Sequence, residues 1–159
     1  MITVVTGKKN AGKSMFLLEW FNSDPRGAGI LTMKRYCGGR LEGYDLMFLP
    51  SGKRINLCEE LPEDYLPEDS ELIQGKYLFD KSAFSEAEKY LLENLPDAEE
   101  PFWLDEISYL ELNGKGFYPL LHFALSMQPE IRLGVRESCL NELMSWFDKK
   151  EISIIHLDE

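Results

Sequence analysis

Eight residues near the start, Gly7-Lys8-Lys9-Asn10-Ala11-Gly12-Lys13-Ser14, constrain this chain more than any others. They match G-x-x-x-x-G-K-[ST], the phosphate-cradling P-loop. Ile2-Thr3-Val4-Val5-Thr6 precedes them as a short β-branched run, which predicts a buried strand. Met15-Phe16-Leu17-Leu18-Glu19-Trp20-Phe21 follows and predicts a helix. A strand, a glycine loop and a helix in that order are the context in which the motif works.

Each residue type has a physical task in such a loop. Gly7 and Gly12 keep side chains out of the way while successive N–H groups turn inward. Asn10 is among the few residues that accept a positive φ. The helix beginning near Gly12 adds free N–H groups and the positive end of its dipole. Lys13 is placed to reach the β- and γ-phosphates, and the Ser14 hydroxyl to sit on Mg²⁺. The phosphate-binding set is therefore Gly7, Lys8, Lys9, Asn10, Ala11, Gly12, Lys13, Ser14 and the adjoining Met15.

Charge agrees with this placement. The net charge is −11, but residues 1–60 hold 9 basic and 6 acidic side chains, a net of +3, and the remainder hold 8 and 22, a net of −14. The basic share surrounds the phosphate loop. The acidic share reads as solvated surface and argues against duplex nucleic acid or a membrane as the main partner. Cys37, Cys58 and Cys139 show no metal-ligand spacing and suit a reducing cytoplasm. No apolar run approaches the length of a membrane span, and the N-terminus lacks the pattern of a signal peptide.

Beyond the first helix (13–22), the turn Asp24-Pro25-Arg26-Gly27 leads to strands at 28–35, 43–49 and 53–57. Their tight turns predict an antiparallel meander over about residues 28–58. Residues 59–71 mix acids and prolines and read as a loop. A strand at 76–79 precedes a helix capped by Ser82 and stopped by Pro96-Asp97. Pro101 to Glu106 predicts an apolar strand ending in two acids. Then come a helix at 116–127, a strand at 131–135, a helix at 138–149 and a last strand at 152–157. Strands alternating with helices predict an α/β fold of three layers, with a mostly parallel sheet flanked by helices. Trp20, Trp103, Trp146, His122 and His156 read as packing residues. Tyr36 and Tyr44 are candidates to stack on a base.

A P-loop protein needs a carboxylate at a neighbouring strand end to hold Mg²⁺. Asp105 fits that role, and Glu106 beside it fits the orientation or deprotonation of an attacking water. An arginine near the γ-phosphate would offset charge gathering there. Arg35, Arg40, Arg54 and Arg136 are candidates, with Arg40 favoured by its glycine loop and Arg136 by its strand end.

Leu104-Asp105-Glu106-Ile107-Ser108-Tyr109-Leu110-Glu111-Leu112 resembles the D-E-I-G-x-M-E-L signature of the small nucleoside triphosphatases first described in thermophiles, which have animal relatives. Gly29-Ile30-Leu31-Thr32, Arg40 to Leu46 with Ser51-Gly52, and Gly75 to Asp80 resemble further segments of that family in order. The resemblance implies one P-loop nucleoside-triphosphatase domain over residues 1–159. It also implies Mg²⁺-dependent hydrolysis of ATP, GTP and other nucleoside 5′-triphosphates with loose base preference. Glu111 is a motif residue to which it lends no role. Two other readings share the P-loop: a small-molecule kinase, and a non-enzymatic nucleotide-dependent adaptor whose protein partner is unknown.

Overall fold

The computed structural model describes residues 1–95, 100–147 and 151–158. Its nine strands are β1 (Ile2–Gly7), β2 (Ala28–Cys37), β3 (Arg40–Leu49), β4 (Arg54–Glu60), β5 (Leu72–Gln74), β6 (Tyr77–Phe79), β7 (Phe102–Ile107), β8 (Ile131–Arg136) and β9 (Ile152–Leu157). The helices are α1 (Lys13–Ser23), α2 (Lys81–Asn94), α3 (Tyr109–Leu112), α4 (Tyr118–Met127) and α5 (Leu140–Met144).

All nine strands join one sheet in the order β5-β6-β4-β3-β2-β7-β8-β1-β9. From β2 to β9 neighbours run parallel, and from β2 to β5 they run antiparallel. The meander is thus larger than predicted, because β6 and the unforeseen β5 extend it. The sheet is an even mixture rather than mostly parallel. Strand β5 escaped sequence reading because it has three residues behind an acidic, proline-rich stretch, too short to show a period.

Alternation along the central strands sorts the core into two layers. Val4, Ile30, Phe102 and Leu104 face α2, α4 and α5, whereas Val5, Leu31 and Trp103 face α1. Leu17 and Phe21, four apart on α1, bury against that second face. Each contributes about 1.5–3 kcal/mol by removal from water. Trp103 is fully buried, and the Arg132 guanidinium lies 3.9 Å from the Trp20 ring centroid and 4.6 Å from that of Trp103. Trp146 packs half-buried on the opposite layer. His122 and His156 are exposed rather than packed, His122 stacking on Tyr118.

Local chemistry adjusts several ends. Asp80, not Ser82, caps α2: its carboxylate accepts from the Ser82 N–H at 2.9 Å and from the Ser82 hydroxyl at 2.6 Å. Position decides this: Asp80 immediately precedes Lys81, the first residue of α2, whereas Ser82 lies within the first turn and supplies the N–H that the cap accepts. Helix α2 ends at Asn94, and Pro96-Asp97 lies outside the described residues. The predicted helix at 138–149 is a 3-10 turn, Glu137–Cys139, followed by the five residues of α5. Residues 148–150 lie outside the described part. Helix α3 is a single turn, below the length at which periodicity is legible.

Candidate functional site

The P-loop bridges β1 and α1. Asn10 adopts φ 66° and Gly12 φ 87°, both left-handed, and Gly12 forms the N-cap of α1. A Cβ at Gly7 would stand 2.8 Å from the Leu157 carbonyl oxygen, so the close approach of β9 requires glycine there. The loop is closed by Ala11 N–H donating to the Lys8 carbonyl at 3.1 Å. Lys13 is buried, its Nζ 3.2 Å from the Lys8 carbonyl and 3.4 Å from that of Gly7. The Asn10 side chain accepts from Lys34 at 3.0 Å, tying the loop to β2.

The second acidic element is a bulge. In the pairing of β7 with β8, Leu104 faces Leu133 and Ile107 faces Val135, so Asp105 and Glu106 together oppose Gly134. Glu106 takes up the distortion with φ 58°, a left-handed conformation uncommon for a non-glycine residue. The missing Cβ of Gly134 makes room for the Asp105 carboxylate, whose Oδ1 lies 2.1 Å from the ideal Cβ position. Such strain is stored where tertiary structure over-determines it, often at functional sites.

Asp105 is buried, and its oxygens are held by main-chain donors, Thr32 N–H at 3.0 Å and Glu106 N–H at 2.7 Å. Burial first, then the charge of Glu106, pushes its carboxyl up to about 6; hydrogen bonds from the Ser14 side chain, Thr32 and Glu106 pull the other way. Ser14 and Asp105, predicted from opposite ends of the chain, are thus neighbours. Arg136 meets Glu106 at 3.5 Å, and its guanidinium sits 5.8 Å from the Tyr109 ring centroid. Parallel register explains its position: Arg136 lies beside Gly7 across the β8–β1 pair.

Two cavities open here. One, of about 450 Å³, is lined by the loop residues Lys9, Asn10, Gly12, Lys13, Ser14 and Met15. Leu18, Met33, Tyr36 and Met47 also line it, as do Glu106 and Arg136. The other, of about 300 Å³, is reached across Glu106 and Arg136 and is walled by rings from β3, β6 and α2. Tyr44 borders both.

The arginines separate clearly. Arg136 borders both cavities and Arg54 the larger one, where it also pairs with Asp45 at 3.2 Å. Arg35 bonds Asp45 and the Cys58 carbonyl, holding the meander together. Arg40 is not brought to the site. It sits exposed at the β2–β3 turn, paired with Glu60 at 3.1 Å, because the ten-residue strands of that hairpin carry their turn away from the loop.

Glu111 gains a role. Its Oε2 accepts from Ser108 N–H at 2.9 Å and its Oε1 from Phe117 N–H at 3.0 Å, joining the turn after β7 to the start of α4. Burial raises its carboxyl above the ordinary range, opposed by these donors. Sequence reading also missed Thr32 and Gly134 as site residues. The one available signal for Thr32 was its segment, Gly29 to Thr32; a Cβ at Gly29 would meet the Trp103 carbonyl at 2.0 Å.

No family model matches the chain, and no curated protein matches it. Two solved structures do. A human cancer-related nucleoside triphosphatase superposes with a TM-score of 0.72 at 23% identity, over 99% of this chain and 88% of that one. THEP1 from the hyperthermophile Aquifex aeolicus gives 0.69 at 18%, over 99% and 90%. The chain therefore has the α/β P-loop fold of these two proteins, which is where its sequence resemblance to the small thermophile-type nucleoside triphosphatases pointed.

Proposed function

We propose that this protein hydrolyses nucleoside 5′-triphosphates to diphosphate and phosphate with Mg²⁺, with little discrimination among bases. One observation carries the reading: Glu106 and Arg136 meet at the wall of the cavity that the P-loop lines. The loop amides and Lys13 bind the phosphates. Glu106 orients a water and receives its proton. Arg136, freed from Glu106 as charge gathers on the phosphate, stabilises that charge.

Ser14 and Asp105 fit magnesium. They are hard oxygen donors brought together by hydrogen bonding, and Asp105 is a buried carboxylate with a raised affinity for protons. Among the described residues no cluster of three or more His, Cys, Asp or Glu forms a cage, which suits a cation that keeps waters and substrate oxygens. When bound there, the ion would supply positive charge that offsets the charge of the phosphates.

Loose base choice is supported by the wall beyond Met15. Leu18, Met33, Met47 and Tyr36 offer adaptable sulfur and aromatic surface rather than a fixed donor–acceptor pattern. No helix among the described residues is long and apolar enough to cross a membrane. The test is phosphate release from ATP, GTP, CTP and UTP with Mg²⁺. Comparable rates are expected for the four, with loss of at least 100-fold in Lys13→Ala. Release no greater than that variant's would refute hydrolysis.

A further inference from the structure

The smaller cavity is not needed to hold a nucleoside triphosphate. The order Lys13, Ser14, Met15 sets the polarity of the bound chain. Lys13 addresses the β- and γ-phosphates and the nucleoside end runs past Met15, whose surroundings line the larger cavity. The γ end therefore points to the shared wall of Lys9, Glu106 and Arg136. The 300 Å³ cavity begins beyond that wall.

Its lining is that of a small-molecule site. Tyr44 and Tyr77 meet edge to face at 5.4 Å, Phe84 and Phe117 pack at 4.8 Å, and Phe79 stacks on Phe84 at 6.2 Å. Gln74 and Lys76 add polar groups from the β5–β6 turn. Aromatic walls with a few polar groups select a flat ring system, by burial and by stacking. The volume lies at the small end of ligand pockets, the size of one or two rings with a short substituent. Glu106 stands where such a substituent would meet the γ-phosphate.

We propose that this cavity is a phosphoryl-acceptor site for a planar heteroaromatic molecule bearing a primary hydroxyl, so that the protein transfers phosphate to it when it is bound and to water otherwise. This rests on the nucleotide-binding reading above. The acceptor oxygen bonds to the γ-phosphorus while the bond from that phosphorus to the β,γ-bridging oxygen breaks. The electron pair leaves with the nucleoside diphosphate, and the hydroxyl proton passes to the Glu106 carboxylate. The products are a phosphomonoester and a diphosphate. A filled cavity also keeps water from the γ-phosphate, so transfer replaces hydrolysis.

The test incubates the full chain with Mg²⁺, γ-labelled ATP and, one at a time, the four ribonucleosides, pyridoxine and thiamine. Nucleotide binding is measured in parallel with a fluorescent ATP analogue. Label is expected on at least one organic acceptor, with phosphate release falling correspondingly. Phe84→Trp on α2 and Leu110→Phe on α3, which fill the cavity from different elements, are each expected to lower transfer at least 10-fold while nucleotide binding persists. Label found only in inorganic phosphate with all of these acceptors, nucleotide binding being intact, would overturn the acceptor site and leave the hydrolase. Transfer undiminished in both variants would also overturn it, because the acceptor would then bind elsewhere. Absence of nucleotide binding would remove both readings.

Discussion

Oδ1 of Asp105 occupies the space that a Cβ on Gly134 would need, 2.1 Å from its ideal position. The two residues face each other because β7 carries one extra residue against β8. A side chain at 134 would collide with a buried carboxylate that two main-chain N–H groups already fix. Gly134→Ala is expected to cost about 1–3 kcal/mol by overpacking and to lower phosphate release by at least 10-fold, as Asp105 moves from Ser14. Urea unfolding and phosphate release check the two effects together; an Ala variant with unchanged activity would remove the bulge from the mechanism.

Glu106 pays for its place with a left-handed backbone, φ 58°. Glycine adopts that conformation freely, at a cost of about 0.5–1 kcal/mol of unfolded-state entropy, against about 1–3 kcal/mol of strain relieved. Glu106→Gly is therefore expected to be about 1 kcal/mol more stable than the parent and at least 100-fold less active. A thermal melt beside a phosphate assay measures both.

Asp105 predicts a pH dependence of stability. Its carboxyl titrates near 6 when folded against 3.8 ordinarily. Between those values the folded chain holds a proton that the unfolded chain has lost, so stability falls as pH rises. The full loss from this group, reached above pH 6, is about 3 kcal/mol at 1.36 kcal/mol per unit of the difference. Denaturant unfolding of the metal-free protein from pH 4 to 7 should show this slope, and Asp105→Asn should lose it. Equal slopes in the two proteins would place the titration elsewhere.

Glu111 ties the frame together, its carboxylate joining Ser108 to Phe117, and it also borders the smaller cavity. In Glu111→Gln one of the two accepting oxygens becomes a donor facing an N–H, at a cost of about 1–3 kcal/mol, or about 3–10 °C in Tm for a chain of this size. Nucleotide affinity of the folded protein should stay within about threefold. A selective loss of phosphate release without a fall in Tm would make Glu111 a participant in the reaction.

Local patterns carried the glycine loop, an apolar strand reaching Asp105-Glu106 and most of the helices, because each depends on residues near one another in the chain. The two acids do not end that strand but form a bulge inside β7, which runs on to Ile107. The motif demands its own geometry, so Asn10 and Gly12 have the left-handed φ that loop chemistry requires. Short elements such as β5 and α3, by contrast, exist only through tertiary pairing, and no period announces them.

Sequence by itself thus determined that this chain builds a glycine loop of the P-loop pattern with acids on a second strand, since the motif and an apolar strand are each written in consecutive residues. Only the tertiary structure decided which arginines border the cavities, Arg136 both and Arg54 the larger. Arg40 and Arg136 are both arginines at strand ends, but the parallel β1–β8 register sets Arg136 beside Gly7, whereas an antiparallel hairpin carries Arg40 to an outer turn. Register, a property of two distant segments, likewise set Gly134 against Asp105.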